Sequence, residues 1–305
     1  MNLFLPIAQM SMNVFWVAGS GVLIGLLSGL FGVSGGFLLI PLLMFMGVPP
    51  LVAAASGSAS YVAASTAGTL AHSRGGTVDF KLGFVLFVGG ATGSTVGVEL
   101  LHWLNQIGPV NTVIRVLYVV TLGATGSYML YESVRTWRRR AFMADRHFEP
   151  PVRPRWFDHL PVHTRFRKSE IEVSLLLPLG IGFFVGILAA MMGVGGGFIL
   201  VPLMLYVLGM RMHVVAGTSL FQILCMCVVV TVLQAAENVA VDPVLAVLIA
   251  LGSTTGALVG TRIGRKLRSD ELKTLLALIV LAAGAKFLWD VLRTPDLLIS
   301  HVVTP

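Results

Sequence analysis

Charge is what this sequence has least of. Asp, Glu, Lys and Arg make up 11% of its 305 residues, where a soluble domain carries about 25%. No charged residue precedes Arg74, and further uncharged runs extend from Val173 to Met210 and from Met212 to Ala236. About 20 apolar residues cross the hydrocarbon of a bilayer, so runs of this length read as membrane spans and exclude an ordinary soluble domain. Cysteine is almost absent. Cys225 and Cys227 would point about 200° apart on a helix, which suits neither a disulfide nor a shared metal. They read as small apolar packing residues. Residues 1–9 have no Lys or Arg and no small-residue cleavage site, so the sequence is read as beginning with mature protein and not with a signal peptide. Metal-ligand spacing, a nucleotide-binding loop and a catalytic set are all missing. No cofactor and no enzymatic activity are expected, and no segment is long enough to supply the motor domain of an ATP-driven pump.

Basic residues are present but crowded. Ten of the 21 Lys and Arg residues lie between Arg135 and Lys168, in a stretch broken by Pro150, Pro151, Pro154 and Pro161. This pattern predicts a solvated cytoplasmic linker touching anionic lipid head groups, and not a nucleic-acid surface. The chain is thereby divided into an N-terminal membrane repeat (1–134), a basic linker (135–172) and a C-terminal membrane repeat (173–305).

The two membrane parts repeat one another. Residues 25–42, with Gly32, Gly35, Gly36 and Pro41, match residues 186–203, with Gly193, Gly196, Gly197 and Pro202, and ten of these eighteen positions are identical. Gly89, Gly93 and Gly97 match Gly252, Gly256 and Gly260. Ala55 to Ser58 fall near Ala216 to Ser219, in a register open by one residue. Fixed Gly and Pro positions are not a generic property of apolar sequence, so an internal duplication over about 14–134 and 174–293 is expected.

Spans are predicted near 14–31, 36–47, 51–72, 82–104 and 111–133, and again near 174–192, 197–208, 214–235, 243–264 and 273–293. The second of each set measures about 18 Å at 1.5 Å per residue. That is short of the roughly 30 Å hydrocarbon core, so a half-helix or re-entrant segment is expected. Basic loops face the cytoplasm, and every loop then agrees with ten segments and both termini outside. Five segments per half is an odd number, so the halves are expected to be inverted relative to each other, as in many secondary transporters. The fold class expected is an all-α polytopic membrane protein of two inverted repeats.

The glycine motifs, Gly32-Val-Ser34-Gly35-Gly36 and Gly193-Val-Gly195-Gly196-Gly197, are the main candidates for a substrate site. Glycine lets a helix break inside the membrane, and the next helix start offers free N–H groups to an anion. Close helix packing is the alternative reading. The following spans carry Ser56 and Ser58 in one half and Thr218, Ser219 and Gln222 in the other. Neutral donors there could hold an oxyanion without burying a fixed charge, though hydroxyls also bond to their own helix carbonyls. His72 at the end of its span could pass protons or be merely solvated. Gly93, Gly97, Gly252, Gly256 and Gly260 read as packing faces.

These residues resemble the sulfite exporter TauE/SafE family of membrane permeases. The likeness rests on residues 25–41, on His72 with Gly76 and Asp79, and on Gly193 to Pro202 followed by Ala216 to Phe221, and it covers nearly the whole chain apart from the linker. It implies an ion-gradient-driven carrier for sulfite, sulfonates or related sulfur compounds. The expected function is a permease for a small anion, the expected partners being that anion, a coupling proton or ion, and the bacterial inner membrane with its anionic lipids. A homodimer is an admissible assembly. A passive anion channel and a membrane scaffold subunit without transport activity are the rival readings.

Overall fold

A computed structural model describes residues 2–31, 36–108, 110–142, 163–166, 168–210, 212–264, 278, 280–286, 288 and 289. Gly32, Ser34 and Gly35 lie outside the described residues, as does most of the linker.

The chain opens on a β-hairpin, β1 (Asn2–Leu5) and β2 (Met10–Asn13), and continues into α1 (Val14–Phe31), α2 (Gly36–Phe45), α3 (Pro50–Arg74), α4 (Phe80–Ile107) and α5 (Val110–Phe142). A second hairpin, β3 (His163–Phe166) and β4 (Ile171–Ser174), leads into α6 (Leu176–Met192), α7 (Gly197–Pro202), a π-helical turn (Leu203–Val207), α8 (Met212–Glu237) and α9 (Pro243–Gly264). The described residues between 278 and 289 are helical. The fold is therefore an all-α polytopic membrane protein, with two small hairpins added to the helices that the sequence predicts.

Local chemistry sets the helix limits. Pro50 occupies the first turn of α3, where its missing N–H has no intrahelical partner to lose. Asp79 caps α4 by accepting from the Leu82 N–H at 3.1 Å, and Gly108 ends it in the left-handed conformation, as a C-terminal glycine does. Pro202 interrupts the ladder that follows Gly197, and the next turn widens to a π-helix whose Leu208 N–H donates to Leu203 O. Two expectations are corrected. The basic stretch from Arg135 to Arg140 starts as helix, because α5 runs on to Phe142. The end of the region read as loop, residues 163–174, folds into a hairpin.

Packing relates the halves reciprocally. α6 lies along α4 in parallel: a Cβ on Gly89 would meet Leu179 O at 2.1 Å, one on Gly93 would meet Phe183 O at 2.0 Å, and Gly97 faces Ile187. α1 lies along α9 in the same way, with Gly25 against Ser253, Gly256 against Val22 and Gly260 against Leu26. These glycines are the packing faces that the sequence predicts, since only a missing side chain allows such close backbone approach. The equivalent helices α3 and α8 run antiparallel. Gly68 faces Leu220, and four residues further along α3, His72 faces Gly217, three residues back along α8.

Large apolar side chains stand exposed on most of the long helices, among them Phe15, Phe84, Val120, Phe184, Val232 and Leu251. Water would not tolerate so much apolar surface, whereas lipid does. Four helical segments are long and apolar enough to cross a membrane by length and composition: Phe80–Ile107, Val110–Tyr128, Val214–Glu237 and Pro243–Gly260. α3 is equally long, but its Ala-, Ser- and Gly-rich sequence is mostly buried in the bundle. Its residues from Pro50 to Ser58 are all buried, whereas Ala63, Thr66, Leu70 and Ala71 further along are exposed.

Candidate substrate site

The second glycine motif breaks the helix as its composition predicts. Gly193 ends α6 at φ 68°, Gly195 follows at 67° and Gly196 precedes α7 at 74°. This left-handed run is open to glycine and strained for other residues. All residues from Gly193 to Gly197 are buried. α3 of the other half closes over the break: a Cβ on Gly193 would sit 2.0 Å from Ala54 O, and Ser58 Oγ lies 3.1 Å from both Gly193 O and Ala54 O. Gly195 faces Ile223 and Cys227 of α8, and Gly196 faces Val185 of α6. In the first motif only Gly36 is described, as the first residue of α2.

The hydroxyl candidates separate by partner. Ser56 accepts from the Asp242 N–H at 2.8 Å, and Thr218 accepts from the Asp79 N–H at 3.0 Å. Both thus bond to the start of the fourth helix of the other half, whereas Ser58 contacts the glycine break. These equivalent bonds pair Ser56 with Thr218, a shift of one residue from the pairing of Ala55 to Ser58 with Ala216 to Ser219. Ser219 donates to Ala216 O within its own helix. His72 is half-buried at the end of α3, where its Nδ1 meets Thr77 Oγ1 at 3.1 Å.

Gln222 stands apart from these. It is fully buried on α8, and neither its Oε1 nor its Nε2 has a hydrogen-bond partner. Its Nε2 lies beside Gly90 of α4, next to Met226. A buried, unpaired polar group costs about 1–3 kcal/mol, and this amide has two.

Sequence reasoning missed two tyrosines. Tyr118 of α5 is fully buried and its hydroxyl donates to Met192 O, the last carbonyl of α6 before the break. Tyr61 of α3 is buried with no partner for its hydroxyl, within electrostatic reach of Tyr118 and Cys227. The signal available was composition: Tyr61 is the lone large polar ring in a helix of Ala, Ser and Gly. Arg115 is exposed on α5.

Comparison with known proteins bears on the whole of this arrangement. The family model described as "Sulfite exporter TauE/SafE" matches residues 17–287. The chain belongs to the TauE/SafE family. "Probable membrane transporter protein YjnA" of Bacillus subtilis (strain 168) is 26% identical over 271 residues, covering 88% of this chain and 97% of that protein. "Probable membrane transporter protein YunE" of the same organism is 23% identical over 278 residues, covering 88% and 95%. A "Probable membrane transporter protein" of Xylella fastidiosa (strain 9a5c) is 33% identical over 109 residues, 32% of this chain and 41% of its own. No solved structure matches. As a TauE/SafE protein the chain is a multi-pass membrane transporter, and its glycine break and buried amide belong to that setting.

Proposed function

We propose that this protein is a secondary carrier of a small sulfur-containing oxyanion and performs no chemical conversion. Gln222 carries the reading. A carboxamide with both polar atoms buried and unpaired is a cost within the protein alone, and a ligand with oxygen atoms offsets it by accepting from Nε2. A neutral donor suits an anion that must be released again, because it avoids the several kcal/mol of a buried fixed charge. The glycine break and Ser58 add polar backbone and a hydroxyl to the same bundle. The family described as sulfite exporters supplies the substrate class.

The carrier works by alternating access of two inverted repeats, a reading supported by the antiparallel course of α3 and α8 and by the reciprocal packing of α1 on α9 and of α6 on α4. It lies in the inner (plasma) membrane of a bacterium with the basic linker in the cytoplasm and both termini outside, the orientation that basic loops favour.

Reconstituted protein tests the proposal. Liposomes carrying the wild-type chain take up labelled sulfite or taurine faster than empty liposomes, the rate saturates, and Gln222→Met lowers it at least tenfold. Gln222→Met transport equal to wild type would remove the site from α8. Stabilisation by ammonium compounds, with none by sulfite or sulfonates, would reverse the charge preference.

A further inference from the structure

Two buried carboxylates, Asp79 and Asp242, hold the same set of contacts in the two halves. Asp79 Oδ1 accepts from Leu82 N–H at 3.1 Å and so caps its own α4. Its Oδ2 accepts from the Ser169 N–H at 3.1 Å and from the Ser169 hydroxyl at 2.7 Å, both in the turn between β3 and β4. Its N–H donates to Thr218 on α8. Asp242 Oδ1 accepts from the N–H groups of Val244 and Leu245 at 3.1 Å, capping α9. Its Oδ2 accepts from the N–H groups of Ile7 at 3.0 Å and Ala8 at 3.5 Å, in the turn between β1 and β2. Its N–H donates to Ser56 on α3.

Each aspartate therefore fastens three elements: through its carboxylate a fourth-helix start from its own half and a hairpin turn from the other, and through its backbone N–H the third helix of the other half. The hairpins are themselves equivalent. Gln9 and Glu170, which follow Ala8 and Ser169, take φ 51° and 52°, and Leu5 and Phe166 are both buried. The two knots lie at opposite ends of the antiparallel pair. Thr218 is near the start of α8, where it meets the end of α3, and Ser56 is near the start of α3, where it meets the end of α8.

We propose that Asp79 and Asp242 are the positioning residues that latch the two ends of the transport path, and that the carrier opens one end by releasing one knot while the other stays tied. The proposal rests on the alternating-access reading. Charge-assisted bonds from a carboxylate to backbone N–H groups are strong enough to hold an end closed, yet only two bonds per knot cross to the hairpin. Both knots are tied in this structure, as an occluded carrier requires. A purely structural staple would do no more than add stability.

Asparagine separates the two roles. It caps a helix about as well as aspartate, but its amide cannot accept from Leu82 or Leu245 on one side and from the hairpin N–H groups on the other. Reporters are Thr69→Cys, on α3 near the Asp79 knot, and Thr231→Cys, on α8 near the Asp242 knot, both with buried Oγ atoms in the native chain. They are placed in a Cys225→Ala/Cys227→Ala chain held in lipid nanodiscs, so that a water-soluble maleimide reaches both faces. Asp79→Asn should raise labelling at position 69 about tenfold or more, as loss of one charged hydrogen bond implies, and leave position 231 unchanged or slower. Asp242→Asn should do the reverse. Where Asp79→Asn is not monodisperse, Ser169→Ala removes one bond of the same knot and gives the same pattern at smaller size. For the other knot, Ser56→Ala takes that place.

Equal rises at both reporters, or a lowered melting temperature with no change at either, would overturn the latch. The labelling needs no substrate, so one-sided opening without sulfite flux would keep the latch and defeat only the substrate assignment. Sulfite flux with two-sided opening would do the opposite.

Discussion

Ser58 Oγ lies 3.1 Å from Gly193 O, so the third helix of the first half rests directly on the glycine break of the second. The contact explains why two glycines and a serine meet where the membrane interior would otherwise favour bulk. Gly57 also faces Gly193 O, and a Cβ on Gly193 would strike Ala54 O at 2.0 Å. The break is thus held from outside its own half, and its backbone cannot be displaced without moving α3.

Substitution at that break is expected to be severe and specific. Gly193→Ala adds a methyl group against Ala54 O in a left-handed residue, at a cost of about 2–5 kcal/mol. Gly180→Ala on α6 meets nothing within 4 Å and should be neutral, or stabilising by about 0.5–1 kcal/mol. Melting temperatures of the two purified variants in one detergent check the contrast. Equal effects would mean that the break is not pinned.

The two buried tyrosines should respond to the same deletion with opposite sign. Tyr118→Phe strands Met192 O, which the phenol now satisfies, and should destabilise by about 1–3 kcal/mol. Tyr61→Phe removes a buried hydroxyl that has no partner, so stability should hold or rise. Thermal unfolding followed by tryptophan fluorescence distinguishes them. A larger loss for Tyr61→Phe than for Tyr118→Phe would contradict the hydrogen-bond assignment.

Gln222→Met should raise the melting temperature while lowering uptake. Methionine fills similar volume without two unpaired polar atoms, a gain of about 1–3 kcal/mol in the empty protein. Sulfite should shift the melting point of the wild-type chain and leave that of the variant in place. A variant that is less stable and binds normally would assign the amide a structural role.

Orientation is open to a direct test. A cysteine introduced at Arg140, in the basic end of α5, should resist an impermeant maleimide on intact cells, and one at Met1 or Pro305 should react. The reverse pattern would turn the protein over in the membrane and exchange the sides that the two carboxylate knots face.

The positions of the spans were legible because hydrocarbon thickness sets a length that local composition must meet. α1 and α9 begin and end where the spans are predicted, over 14–31 and 243–264. The break before α7 was legible too, since glycine acts on the backbone where it stands; the π-helical turn after Pro202, inside the span predicted over 197–208, was not. The hairpins were not. Residues 2–13 and 163–174 share almost no letters, and their equivalence lies in backbone pairing, in the conformations of Gln9 and Glu170, and in the carboxylates that receive them. The partners of Ser56 and Thr218 were equally hidden, because the bonds to Asp242 and Asp79 cross between halves far apart in the chain. Tyr61 and Tyr118 differ only in whether a distant carbonyl comes within reach. Composition and local spacing determined what crosses the membrane and where each helix breaks. Which buried polar group is satisfied, and which is left unpaired, was decided by the packing of one half against the other.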